Sequence, residues 1–295
     1  MTSNSSMDQL TRFLFDEHEM RGEFCQLQTA FADATQHQIL PDPAKTLLGE
    51  FLTATSLLAG VLKFEGTLTL QVRGNGPIPL IMAESTENKH IRGIVKPQAN
   101  MDASRLENLS FRDCIGEGVL TLTMDPLEGQ RYQGIVPLNG ETLSDCLTHY
   151  FKQSEQLPTK IWLFSHESQC AGLMLQSLPG PTDDEAQIDA WRTAIALADT
   201  LSAEESFLLD HQTLITRLFH EFTVRVYPSQ NIQFACSCSS QRSARALHSI
   251  GENEAFALLA ERGEIKIQCE FCGQEYRYDA QNLRELFGKV DDQLH

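Results

Sequence analysis

The chain has 295 residues, 41% of them hydrophobic, and a formal net charge of −17 from 40 acidic and 23 basic side chains. Such a length and apolar share suit one large domain with one or two small ones and exclude wholesale disorder. The acidic excess repels phosphate backbones and anionic lipid, which weighs against generic nucleic-acid or membrane binding.

In chain order, Leu10, Phe13 and Leu14 fall at helical spacing and predict a helix within Leu10–Phe24. A second, longer helix is expected over Ala44–Leu62. Between Lys45 and Lys63 only Glu50 is charged, so this helix should be buried on most of its surface. The period then changes to two. TLTLQV at Thr67–Val72 ends in the turn signal GNGP, and the apolar run resumes at Ile78–Ala83. GTLTL at Gly66–Leu70 is echoed by GVLTL at Gly118–Leu122, and RGIV at Arg92–Val95 by QGIV at Gln133–Val136. Their unequal spacing suggests paired hairpins packed as related halves rather than a solenoid. Asn139–Phe151 reads as a helix with Leu143, Cys146, Leu147 and Tyr150 on one face, and Ile161–Phe164 and Gly172–Gln176 are strands expected to complete the sheet. Residues 1–180 thus form an N-terminal α+β domain of paired β-hairpins and helices.

PGPTDD at Pro179–Asp184 marks a boundary. Thr182 with Glu185 and Ser202 with Glu205 fit capping boxes, so two or three short helices should fill Asp183–Phe222 within a connector spanning 181–231. Asp183–Phe222 carries nine acidic residues against only Arg192 and Arg217, while Ile188, Trp191, Ile195 and Leu197 offer apolar contact. A helical connector docked through those residues is held by burial and opposed by self-repulsion. Residues 232–295 are too few for a strong core of their own. Short helices are expected at Ser243–Leu247 and Glu252–Leu259, strands at Ile265–Gln268 and Tyr276–Tyr278, and a last helix at Ala280–Phe287 capped by Asp279.

That small domain holds Cys236-x-Cys238 and, thirty residues later, Cys269-x-x-Cys272. The opening MTSNSSMDQL lacks an apolar signal core, and Phe51–Phe64, the richest apolar run, is too short and interrupted to span a bilayer, so a cytoplasmic location is expected. In a reducing compartment, eight cysteines argue for metal or redox chemistry rather than a disulfide framework. Four thiolates in two local pairs suit tetrahedral Zn2+. A permanent structural zinc site, an oxidant-sensitive zinc site, a metal-free dithiol and unrelated buried thiols all remain open on spacing alone. If a zinc-bound thiolate is oxidised to a sulfenic acid, its neighbour can trap it as a disulfide, removing two ligands and the folding energy that the metal supplies. Cys25, Cys114, Cys146 and Cys170 are isolated and expected to be buried thiols; His248 is the nearest histidine, but four sulfurs already complete a tetrahedron.

GNGP and GEG lack the context of a phosphate loop, and there is no nucleophile elbow or HExxH, so neither ATP use nor an enzyme is expected. Taken with its surroundings, the cysteine pattern resembles the redox-regulated 33 kDa chaperonin family. The likeness rests on MRGE at Met20–Glu23, TATSLLAGVLKFEG at Thr53–Gly66, QVRGNGP at Gln71–Pro77, EGQRYQG at Glu128–Gly134, YFKQSEQLPT at Tyr150–Thr159 and the CSC…CEFCG run. The resemblance implies an ATP-independent holdase that binds one Zn2+ through Cys236, Cys238, Cys269 and Cys272 when reduced. On oxidation it would form the disulfides Cys236–Cys238 and Cys269–Cys272, the latter pair responding first, and release zinc. The connector would then lose order, and the protein would dimerise, hold unfolding clients and later be reset by thiol-reducing systems. The alternative is a constitutive zinc-ribbon module for nucleic acid or protein, with Lys266, Arg277, Arg284 and Lys289 as its basic face. A thiol-disulfide oxidoreductase is a second rival, though no thioredoxin-like context surrounds the CxxC.

Overall fold

The first apolar stretch is a hairpin rather than the expected helix. In the computed structural model, which describes residues 7–62, 65–99, 103–106, 109–179 and 185–288, strands β1 (Gln9–Phe15) and β2 (Met20–Leu27) pair antiparallel, with Leu10 opposite Cys25 and Leu14 opposite Arg21. Leu10 and Cys25 enter one apolar cluster, while Phe13, Phe15 and Phe24 enter another. A pair of strands covered on both faces loses the alternation that would have marked it in the sequence. Gly22 is required by this packing, because a Cβ there would lie 2.0 Å from the Phe13 ring.

Helix α1 (Thr29–Thr35) has no side-chain cap of its own. Asp8 serves instead, accepting hydrogen bonds from the backbone N–H groups of Gln28, Thr29 and Ala30 at 2.7, 3.1 and 2.9 Å. Helix α2 (Asp42–Val61) follows the expected bounds closely, and every residue from Phe51 to Val61 is buried. An α-helix apolar all round must be enclosed, and α2 packs against strands of two different sheets. The chain continues through β3 (Gly66–Gly74), β4 (Leu80–Thr86), β5 (His90–Lys96), α3 (Phe111–Ile115), β6 (Gly118–Pro126) and β7 (Tyr132–Val136). The sequence echoes in β3 and β6 lie side by side, with Leu70 opposite Leu122, at the centre of a single sheet.

Helix α4 (Leu143–Tyr150) starts at a capping box in which Thr142 Oγ1 accepts from the Asp145 N–H and the Asp145 carboxylate accepts from the Thr142 N–H. β8 (Thr159–His166) and β9 (Gln169–Ser177) then join the first hairpin, not the echoing one as expected, since β9 pairs along the whole of β2. α5 (Glu185–Ala198), α6 (Ala203–Leu208) and α7 (His211–Leu218) form the predicted run of short helices. Ser202 and Glu205 make the predicted capping box, whereas Thr182 lies outside the described residues. Three short strands end this part: β10 (Val224–Val226), β11 (Gln230–Asn231) and β12 (Gln233–Phe234).

One sheet therefore runs β10-β1-β2-β9-β8 with β11 also on β1, and the other runs β12-β5-β4-β3-β6-β7. α2 lies between them. On the opposite face of the first sheet, Phe13, Phe15, Phe24, Leu173 and Leu175 pack with buried residues of the α5–α7 segment, including Ala194, Leu214, Ile215 and Phe219. Trp191, Ile195 and Leu197 contribute partly buried contacts there, while Ile188 is 40% exposed and takes no part in that face.

The chain divides into two compact units, Met1–Ala235 and Cys236–His295. The second contains α8 (Ser240–Ser249), α9 (Glu252–Arg262), the hairpin β13 (Ile265–Gln268) and β14 (Glu275–Tyr278), and α10 (Ala280–Gly288). Asp279 caps α10 by accepting from the N–H groups of Gln281 and Asn282 at 2.8 and 2.9 Å. Among the described residues of this unit, the buried apolar cluster is Leu247, Ala255, Ile265, Tyr278 and Leu283.

Candidate metal centre

Two local structures present the paired cysteines. β13 and β14 pair from Ile265 opposite Tyr278 to Gln268 opposite Glu275, and this register delivers Cys269 at the mouth of the turn. There the Cys269 N–H donates to the Gln274 carbonyl at 2.9 Å, and the Gly273 N–H donates to the Cys269 carbonyl at 2.8 Å. Gly273 has φ +71°, a conformation that side chains disfavour, so glycine closes the knuckle after Cys272. Cys236 and Cys238 precede α8, whose first turn is capped by Ser239 accepting from the Arg242 N–H. Arg242 also donates from its guanidinium to Ser237 Oγ at 2.7 Å, fixing the residue between the two cysteines.

The four sulfur atoms converge, all within 4.8 Å of one another and all partly buried. Cys236 Sγ is 3.6 Å from Cys269 Sγ, and Cys238 Sγ is 3.3 Å from Cys272 Sγ. A tetrahedron with Zn–S bonds of about 2.3 Å has edges of about 3.8 Å, so the donor set fits that ion. These closest contacts run between the Cys-x-Cys and Cys-x-x-Cys segments, which ties β13–β14 to the entrance of α8.

Electrostatics separate the four thiols. Burial pushes Cys238 upward, but the Tyr276 hydroxyl donating to its sulfur at 3.1 Å and the neighbouring sulfurs outweigh this and hold it at about 7. Its place just before the positive end of α8 adds to the same preference for thiolate. Burial raises Cys236 and Cys272, and hydrogen bonding among the neighbouring sulfurs raises Cys272 further. A divalent cation among them would favour thiolate at every position. Tyr276 was missed as a functional residue at the level of sequence. Its only signal was alternation: Tyr276 and Tyr278 share one face of β14, and Tyr278 also reaches this segment by donating to the Ser240 carbonyl at 3.1 Å.

The other sulfur and imidazole candidates lie elsewhere. Cys25, Cys114, Cys146 and Cys170 are buried in the first unit, and burial pushes their thiols up, Cys114 to about 11 and Cys170 to about 12. His248 stacks on Phe287 at 5.2 Å between ring centroids and is not among the clustered donors. Two of the four residues of the basic face considered for a nucleic-acid module are paired with carboxylates, and among the described residues Arg284 forms no ion pair. Lys266 and Arg277 meet Glu264 at 3.5 and 3.4 Å, and Arg277 meets Glu275 at 2.6 Å. Lys289 lies outside the described residues.

A large α+β unit followed by a small unit with four convergent thiols defines a two-unit class of protein with a cysteine cluster capable of holding a metal ion. Residues 8–279 match the family model described as Hsp33 protein. The chain is 44% identical over 290 residues to the 33 kDa chaperonin of Pseudomonas fluorescens strain SBW25, covering 97% of this chain and 96% of that one. It is 46% identical over 287 residues to the 33 kDa chaperonin of Azotobacter vinelandii, covering 96% and 95%. The crystal structure of the 33 kDa chaperonin of Thermotoga maritima superposes with a TM-score of 0.80 at 21% identity, covering 97% of this chain and all of that one, which shows the shared fold. The chain belongs to the Hsp33 family, whose general function is that of a redox-regulated, non-catalytic chaperone of the holdase type that binds unfolding proteins. Among the described residues no helix is long and apolar enough to cross a membrane.

Proposed function

We propose that this chain is an ATP-independent holdase of the cytoplasm whose four-thiol cluster is its switch. In the reduced state Cys236, Cys238, Cys269 and Cys272 hold one Zn2+. The metal would keep the sulfurs ionised and supply folding free energy to a unit with little core of its own. The convergence of four sulfurs within 4.8 Å, in a unit with five buried apolar residues, is the observation that carries this reading.

Oxidation then proceeds by pairs. A thiolate of Cys269 or Cys272 attacks peroxide, becomes a sulfenic acid and releases water after protonation. The second thiol displaces a further water to form the disulfide, so each pair loses two electrons and each peroxide gains two. Cys269–Cys272 reacts first and Cys236–Cys238 follows. Each disulfide withdraws two donors, and the remaining set no longer holds the metal.

The working parts are an N-terminal domain at 1–180, a connector at 181–231 and a redox domain at 232–295. Loss of order in the redox domain releases the connector, whose last strands, β10 and β11, are followed closely in the chain by β12 and Cys236. Support comes from the predominantly acidic charge of α5–α7 and from the apolar face of β1, β2 and β9 that they cover, where Phe13, Phe15 and Phe24 would meet clients. The oxidised form dimerises, clients bind through apolar surface without sequence preference, and thiol-reducing systems restore the thiols. Nucleic acid and membrane are not partners.

The test measures zinc, free thiols and suppression of client aggregation on one sample, before and after peroxide under mildly unfolding conditions, with Cys269→Ser as control. Zinc loss, loss of four free thiols and onset of suppression should coincide. Suppression that is unchanged after complete zinc loss would refute the switch.

A further inference from the structure

A cavity of about 730 Å³ lies in the first unit, between the β1–β2 hairpin and the strap Tyr227–Gln230 that links β10 to β11. Its size is within the range of small-molecule sites. Leu10, Leu14, Leu178, Tyr227 and Pro228 give it apolar walls, and Arg12, Arg21 and Glu23 give it a charged floor. The register explains this composition. Arg12 stands opposite Glu23 and Leu14 opposite Arg21 on the face of the hairpin that leads to α2.

The charges are unequally matched. Arg12 pairs with Glu23 at 2.7 Å and donates to the Gly60 carbonyl, and the Glu23 side chain is only 2% exposed. Among the described residues Arg21 has no carboxylate within ion-pair distance. Its Nε and Nη2 donate to Gln176 Oε1 at 3.0 and 2.6 Å, and buried Gln176 is in turn fixed by donating to Thr159 Oγ1 at 2.9 Å. A neutral amide therefore orients the guanidinium without cancelling its charge. Burial and the nearby Arg12 cation disfavour that charge, and Glu23 offsets them only in part. Arg12 and Arg21, with Lys89 also close to Glu23, outnumber that one carboxylate and leave net positive charge inside an acidic protein.

We infer that this cavity binds a small monocarboxylate with an apolar body. The carboxylate takes the free edge of Arg21, since a planar guanidinium suits a planar two-oxygen acceptor. The apolar body lies against Leu14, Leu178 and Tyr227. Glu23 selects against dianions such as phosphate, because its own charge would face the second negative charge. The occupant also lies under the strap, whose Tyr227 N–H donates to the Arg12 carbonyl at 2.9 Å, so binding adds resistance to strap opening. This site stands apart from the thiol cluster and needs no step of the redox reading.

The test is calorimetric titration of octanoate into the reduced full-length protein, with inorganic phosphate and octylammonium as comparison probes. Octanoate should bind one per chain and slow amide exchange at Tyr227, while the two comparison probes bind at least tenfold more weakly. Arg21→Gln should weaken octanoate about tenfold or more, the loss expected of one charged hydrogen-bonding partner. Leu178→Trp, which fills the cavity and keeps both arginines, should abolish binding even if Arg21→Gln proves unstable. Failure of octanoate to bind, equal binding of octylammonium or phosphate, or undiminished binding to Leu178→Trp would overturn the inference.

Discussion

Phe219 closes the end of α7 and is almost fully buried, with its ring 5.4 Å from Phe13 and 5.2 Å from Phe15 by centroids. Phe219→Ala removes a buried aromatic that bridges the connector to the outer face of the first sheet. Truncations of this kind cost about 3–5 kcal/mol. If the connector opens as a local unit, its open population rises by about two to three and a half orders of magnitude, at tenfold for each 1.4 kcal/mol. α2 lies on the other face of the same sheet and should be spared. Hydrogen exchange followed by mass spectrometry on the reduced protein should therefore show faster exchange across residues 185–222 and unchanged protection in α2. The same sample should suppress aggregation partly without oxidant. Equal acceleration in α2 would show that connector and sheet open only together, and would refute a connector that releases on its own.

Acid should loosen the same docking through His211, which is buried on α7 and shares a 2.6 Å hydrogen bond with Thr11 Oγ1. Burial lowers its pKa from 6.5 to about 4, so the unfolded segment binds more protons than the folded one between those values. Connector stability should be intact above pH 6.5 and fall with pH toward 4, by about 2 kcal/mol at pH 5. His211→Gln should flatten that profile in exchange measurements, and a wild-type slope in the variant would contradict the assignment. Removing the metal with a chelator under reducing conditions should unfold α8–α10, seen as lost helical circular dichroism and proteolysis after residue 236, with α5–α7 becoming easier to cleave and α2 staying resistant; an intact C-terminal unit would refute the staple. In the folded, metal-bound protein, Tyr276→Phe should speed alkylation of Cys238 several-fold, because the sulfur loses a hydroxyl that donates to it and damps its nucleophilicity. Unchanged alkylation would remove Tyr276 from the site.

The cysteines were legible because ligand spacing is local, and a strand ending at Gln268 with Gly273 after the pair is enough to predict a knuckle. Tyr276 was not, since its hydroxyl finds Cys238 only through the fold. α2 was legible because an enclosed helix carries almost no charge over its length. The β1–β2 hairpin was hidden for a related reason: cover on both faces erased its alternation, and Leu10, Phe13 and Leu14 then matched a helical period by accident. The echo between β3 and β6 announced two similar strands without revealing that they are neighbours. The Ser202–Glu205 capping box marked α6, yet the face that α5–α7 cover is built from residues 13–24 and 171–175, far away along the chain.

That distance bears on how the molecule is made. Residues 20–27 pair with 170–177, and residues 9–15 take their outer partners from 224–231, so the first sheet cannot close until most of the polypeptide has left the ribosome. During that interval the N-terminal hairpin has no cover for Phe13, Phe15 or Phe24, and pairings of such long range form slowly. Newborn copies thus pass through a vulnerable period in which a protector of other chains itself depends on being shielded.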